Sequence, residues 1–291
     1  MSSTPVLAST REELHTLLAG ARAAGRPIAF VPTMGALHEG HASLLRVARG
    51  RAAEGPVVAS IFVNPLQFGP GEDLDRYPRT LDTDLKLCER EGVDVVFAPA
   101  LEEVYPGWPA QPQVTVEPGP LASVLEGEVR PGHFRGVLTV VAKLFGLVRP
   151  DLAVFGEKDY QQLALIRRMV ADLCLGVEIV GAETVREPDG LALSSRNRYL
   201  APDDRARAAI LHRALRAAQE RAAYGAPAAR WELMRVLEED PDLDLDYVAI
   251  RDADLGEVED HPAGVEGRAL VAARFGSTRL IDNVPLTIGR P

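Results

Sequence analysis

The chain has 291 residues, 46% of them hydrophobic and 25% charged, the balance of a folded protein with one large core or two smaller ones. Its net charge of -10 argues against a basic nucleic-acid-binding face, and no apolar run reaches the ~18 residues of a membrane span, so neither nucleic acid nor membrane is expected as a partner. Cys88 and Cys174 form neither a disulfide framework nor a metal-ligand spacing, and the first residues lack a signal-peptide layout, so a cytoplasmic location is expected.

In chain order, Ser9 and Glu12 read as a capping box opening a helix that Gly25 ends, with Leu14, Leu17, Leu18 and Ala21 at helical spacing. Residues 28–31 form a short apolar run that predicts a strand, broken by Pro32 and Gly35, and 39–49 can run on as a helix. Residues 57–63 are apolar almost throughout, as parallel strands covered on both faces are. A helix over 81–91, a strand over 93–98, an apolar helix over 134–148, a strand over 152–155, a helix over 160–173 and a strand over 177–181 follow. This alternation predicts the α/β class, with a doubly wound, Rossmann-like parallel sheet. Beyond residue 184 the pattern changes to helices over 203–224 and 228–239 and strand-like runs over 245–251, 268–275 and 279–285. The expected division is a catalytic domain over 1–184 and a smaller C-terminal α+β lid domain over 185–291.

The richest stretch is Met34, Gly35, Ala36, Leu37, His38, Glu39, Gly40 and His41, where the first strand turns into a helix. A helix start presents unpaired N–H groups and a positive dipole end, both of which attract phosphate. His38 and His41 lie three apart and share a face of the first turn, so two imidazoles could donate to a phosphorus-centred transition state. A random pair at this spacing is more often solvent-facing or satisfied in a core; the preceding strand and Pro/Gly break favour the functional reading.

Other candidates sit at element ends. Asn64 and Gln67 follow the second long strand, where open α/β sheets bind ligands, although Asn64-Pro65 also reads as a plain turn. Asp73, Asp75, Asp82 and Asp84 could place a carboxylate near Mg²⁺, or form a solvated acidic face. Arg130-Pro131-Gly132-His133 reads as a basic loop or a helix start. Gly156, Glu157, Lys158 and Asp159 close another strand, with Lys158 placed for a phosphate and Gln162 one turn on. Leu193, Ser194, Ser195 and Arg196 offer two hydroxyls and a guanidinium for a triphosphate, or a capping and turn cluster.

The His-x-Gly-His run after a strand resembles the nucleotidylyltransferase superfamily, whose members attack the α-phosphate of a nucleoside triphosphate. With residues 62–68, Tyr77-Pro78-Arg79, 130–136, 155–162, 186–200 and 274–283, nearly the whole chain resembles the pantothenate synthetase (pantoate–β-alanine ligase) family. That resemblance implies ATP-dependent joining of pantoate to β-alanine through a pantoyl adenylate, Mg²⁺ as a cofactor and a homodimer. It further implies that residues 34–41, with 156–159, Val185 and 193–196, hold ATP, with His41, His38, Lys158 and Arg196 in the chemistry. Gln67, Gln162 and Asn64 would bind the small substrates. Thr83 interrupts the acidic run expected after Tyr77-Pro78-Arg79, leaving Asp84 as the metal candidate, and Leu193 stands where many members carry Met. The competing readings are a tRNA synthetase, for which length and charge are wrong, another nucleotidyltransferase, and a non-catalytic ATP-binding regulator.

Overall fold

The computed structural model describes residues 4–69, 74–258 and 264–289; Asp73 lies outside them. Two compact units emerge, Met1–Glu157 with Leu165–Glu183, and Lys158–Ala164 with Thr184–Pro291.

The first unit runs β1 (Val6–Ala8), α1 (Arg11–Ala23), β2 (Ala29–Thr33), α2 (Glu39–Arg51), β3 (Val57–Ile61), α3 (Leu81–Arg90), β4 (Val95–Phe97), the short α4 (Leu101–Val104) and α5 (Glu126–Val129), α6 (His133–Val148), β5 (Leu152–Gly156), α7 (Tyr160–Asp172), whose opening residues group with the second unit, and β6 (Glu178–Ala182). Its strands form the expected parallel sheet, in the order β1-β4-β3-β2-β5-β6. Ala29, Phe30, Val31, Val57, Val58 and Ala59 are all fully buried, so these strands have no polar face. From β2 the chain winds one way through β3 and β4, then returns to β5 and β6 on the other side. β2 and β5 therefore meet at a topological switch point, where open sheets form their ligand crevice. They pair at Ala29–Leu152 and Phe30–Ala153 and separate towards their carboxyl ends.

Three local features depart from the sequence reading. β1 was not foreseen; it adds to the sheet edge through Val6–Val95, Leu7–Val96 and Ala8–Phe97. Helix α1 is capped by Thr10, whose side chain accepts from Glu13 N while Glu13 reaches back to the Thr10 N–H, one residue later than the expected Ser9–Glu12 pair. The single helix expected over 203–224 is divided, as described next.

The second unit carries α8 (Pro202–Ala208), α9 (Ile210–Arg221), α10 (Ala226–Leu237), and the antiparallel sheet β7 (Asp244–Asp252), β8 (Val265–Phe275) and β9 (Thr278–Ile288), in that spatial order. The chain breaks at Ala209 between α8 and α9, and Ala222–Tyr224 is a 3₁₀ turn. Ile210, Leu211, Ala214, Leu215 and Ala218 give α9 an i, i+4, i+8 apolar stripe. The stripe belongs to one core with Leu233, Val271, Phe275 and Ile288. Each fully buried leucine there contributes about 1.5–3 kcal/mol.

Candidate active site

The link from β2 to α2 is a tight, strained turn. Gly35 has φ +84° and Ala36 φ +52°. A Cβ on Gly35 would lie 3.0 Å from Ile61 Cγ2 and 3.1 Å from Asp84 Oδ2, on a backbone that side chains rarely adopt, so glycine is required. At Ala36 the left-handed conformation costs about 1–2 kcal/mol. Asp84, on α3 and only 1% exposed, offsets it: Ala36 N donates to Oδ2 at 3.0 Å, and Leu37 N donates to Oδ1 at 2.8 Å. Thr80 Oγ1 donates to Oδ1 at 3.2 Å. Hydrogen bonds to an ionised acceptor are roughly twice as strong as neutral ones, so one carboxylate holds both amides of the turn. Burial, with the Asp84 charge adding to it, pushes the nearby Cys88 thiol up to about 12 and keeps it protonated.

Beyond the turn, the two histidines cap their own helix. Gly40 N donates to His38 Nδ1 at 3.1 Å, and His38 N donates to His41 Nδ1 at 3.3 Å. The ring centroids are 4.2 Å apart at an interplanar angle of 52°. A ring nitrogen that accepts from a backbone N–H carries no proton, which assigns both neutral rings as the Nε2–H tautomer. The carboxyl end of β2 thus leads into a helix N-terminus with two oriented imidazoles at the sheet's switch point. Glu39 points elsewhere: its exposed carboxylate pairs with Arg46 and Arg90.

Asn64 and Gln67 form a second support beside this loop. Asn64 is 1% exposed and its amide is turned into the protein, Nδ2 donating to Gln67 Oε1 at 3.0 Å and to Gly136 O at 3.1 Å. Its Oδ1 accepts from Tyr105 O–H at 2.8 Å, and burial pushes the Tyr105 phenol well above its usual range, so that donor stays protonated. Asn64 therefore orients Gln67, whose Nε2 reaches Met34 Sδ at 3.1 Å. The Gln67 carbonyl is held by His133 Nδ1 at 2.8 Å and Arg130 at 3.4 Å, and Arg130 also meets His133 Nε2 at 3.0 Å. The basic run before α6 is thus a brace for Gln67, and Gly136 lets α6 approach, since a Cβ there would collide with the Leu66 carbonyl. The strand-end position of Asn64 was legible in the sequence; the braces by Tyr105, His133 and Asp84 were not.

In the second unit, Lys158 is partly buried and lies 3.6 Å from the Asp159 carboxylate, while its carbonyl accepts from Asn283. Gln162 follows within the first turn of α7, partly exposed. Val185 O accepts from Leu193 N at 2.9 Å, closing a hairpin that leads into Ser194, Ser195 and Arg196, all partly exposed. Ser194 Oγ accepts from Arg196 N at 3.3 Å, so one of the two hydroxyls caps the following 3₁₀ turn. Among the described residues, no group of three or more His, Cys, Asp or Glu side chains could hold a metal ion.

A doubly wound sheet with a His-x-Gly-His helix start at its switch point defines a nucleotide-binding α/β enzyme built to act on a phosphate group. The profile of the family described as Pantoate-beta-alanine ligase matches residues 6–285. A pantothenate synthetase of Nocardioides sp. (strain ATCC BAA-499 / JS614) is 69% identical over 294 residues, covering 99% of this chain and 87% of the relative. That of Mycolicibacterium smegmatis is 58% identical over 92% of this chain and 83% of its own. The crystal structure of pantothenate synthetase from Thermus thermophilus superposes with a TM-score of 0.86 at 51% identity, covering 96% of this chain and 98% of that one. The pantoate–β-alanine ligase of Francisella tularensis, complexed with β-γ ATP and β-alanine, gives a TM-score of 0.77 at 33% identity, with 96% and 97% covered. The chain belongs to the pantoate–β-alanine ligase family.

Proposed function

We propose that this chain condenses pantoate with β-alanine at the expense of ATP, forming pantothenate and releasing AMP and pyrophosphate. The observation that carries this reading is the His38–His41 pair at the α2 N-terminus, on a turn latched by Asp84 at the switch point of the sheet. A pantoate carboxylate oxygen attacks the α-phosphorus, the bond to the bridging oxygen of pyrophosphate breaks, and pantoyl adenylate forms. The β-alanine amine then attacks the acyl carbon, loses a proton, and AMP leaves. The two Nε2–H groups and the helix N-terminus stabilise the negative charge that grows on the phosphoryl oxygens, where oriented donors count most.

Met34 to His41 act on ATP in this reading, together with Gly156 to Asp159, Val185 and Leu193 to Arg196; Lys158 and Arg196 supply positive charge to the phosphates. Gln67 and Gln162 bind pantoate. Asn64, expected to touch the small substrates, instead orients Gln67, because its amide already has protein partners on both sides. Asp84, expected at the metal, does not fit that role, since its buried oxygens are engaged by backbone N–H groups. Mg²⁺ would enter as part of the substrate MgATP, in keeping with its reluctance to shed water for protein ligands. The chain works in the cytoplasm, as a homodimer; no helix among the described residues is long and apolar enough to cross a membrane.

The test is an isotope transfer. Pantoate labelled with ¹⁸O in its carboxylate should deliver one label to AMP in the presence of β-alanine. Unlabelled AMP with pantothenate still formed would contradict the adenylate.

A further inference from the structure

Asp282 and Asn283, neighbours on β9, hold two separate segments of the second unit. The Arg186 guanidinium meets the Asp282 carboxylate in a bidentate pair, at 2.6 and 2.9 Å, with the Asp282 side chain 2% exposed. Arg186 also donates to Gly190 O at 3.0 Å and to Asn283 O at 3.1 Å. These bonds tie the base and tip of the hairpin that bridges Arg186 and Ala192 to one strand. Gly190 (φ +93°) lies so close to the His212 ring that any Cβ would collide with it, which fixes the tip from the other side. The hairpin feeds directly into Leu193 to Arg196.

The Asn283 side chain reaches the second segment. Its Nδ2 donates to the Lys158 carbonyl at 2.9 Å and its Oδ1 accepts from Arg268 at 3.1 Å. Arg268 has only donors, so the amide cannot be turned the other way round without setting like groups against each other. Arg268 itself lies over the Tyr160 ring, 4.0 Å from its centroid, and the Tyr160 hydroxyl donates to Ala253 O at 2.8 Å. Two consecutive residues of β9 thus set Lys158 and the 186–196 hairpin in one frame.

We infer that Asp282 and Asn283 are positioning residues for the adenylation step, fixing Lys158 and the segment ending at Arg196 relative to each other. This rests on the assignment of Lys158 and Arg196 to ATP. Misplacing a group by about 1 Å can cost on the order of a hundredfold in rate, so a bond to a backbone carbonyl can matter for turnover while adding little to stability.

The experiment is a double-mutant cycle on the full chain, read as kcat and KM for ATP and as Tm. Asn283→Asp keeps the shape and the acceptor towards Arg268 but sets a carboxylate oxygen against the Lys158 carbonyl. It should lower kcat/KM for ATP by roughly ten- to a hundredfold. In a Lys158→Ala background the same change should have little further effect, because the group being positioned is gone. Asn283→Ala, which removes both bonds, provides the same cycle if the Asp variant fails to fold. Asp282→Asn in an Arg196→Ala background tests the hairpin arm in the same way. Equal losses in both backgrounds, or wild-type turnover in Asn283→Asp, overturn the proposal. Wild-type turnover in Lys158→Ala alone instead removes the assignment of Lys158, and the proposal with it.

Discussion

In the first unit, Asp84 is buried against the N–H groups of Ala36 and Leu37; in the second, Asp282 is buried against the guanidinium of Arg186. Both carboxylates hold a segment assigned to ATP, but with different physics. Asp84 is stabilised by main-chain dipoles, so the groups it fixes are the strained turn itself, Ala36 at φ +52° included. Asp282 is stabilised by a side-chain cation that in turn grips two carbonyls, so its hairpin is held at one remove. A latch on the backbone fixes coordinates directly, whereas a latch through a long side chain also depends on the local charge balance.

The largest effect is expected from Asp84→Ala. Two N–H groups lose their acceptor in a buried setting, each at about 1–3 kcal/mol, and the left-handed Ala36 loses what holds it. Tm should fall markedly and adenylation by on the order of a hundredfold. The Mg²⁺ concentration for half-maximal rate should stay put in the milder Asp84→Asn variant. A large rise in that concentration would restore Asp84 to the metal and remove the latch.

A smaller effect is expected at His212, in the second unit. Burial lowers the His212 pKa from its usual value near 6.5, and the Arg186 charge lowers it further, only partly opposed by Asp282. The folded state therefore prefers neutral His212, and the unfolded chain takes up the proton first as pH falls. His212 is accordingly neutral with no penalty above pH ~6.5, and stability is lost as pH drops below that towards the folded pKa. In urea titrations between pH 5 and 7.5, His212→Gln should flatten this slope. An unchanged slope would show that His212 is not the group responsible.

The sequence made the architecture legible because buried parallel strands are apolar throughout, and because connecting loops begin where those strands stop. The His-x-Gly-His run and the ends of β3 and β5 could be placed at strand ends on that basis, whereas Leu193 to Arg196 follow a hairpin beyond β6. β1 was not: it is three residues long, with Val6 and Leu7 exposed, and its strand character comes from pairing with β4 nearly ninety positions away. Asp84 was read as a surface or metal-binding acid because its partners lie 47 and 48 positions upstream and are backbone groups, which leave no mark in residue identity. The protein partners of Asn64 were hidden for a related reason. An asparagine after a strand looks the same whether its amide meets a ligand or, as here, a tyrosine 41 positions on and a carbonyl 72 positions on. The break at Ala209 has no glycine or proline to announce it.

In the proposed reaction the α2 N-terminus acts on the transition state, with His41 as an Nε2–H donor held by the backbone of His38. His41→Ala, first verified as folded, should bind ATP with nearly wild-type affinity. Its single-turnover rate of pantoyl adenylate formation at saturating ATP and pantoate should fall a hundredfold or more, about 3 kcal/mol for one lost donor. Adenylation at the wild-type rate under those conditions would contradict the account, leaving the loop as a binding element alone.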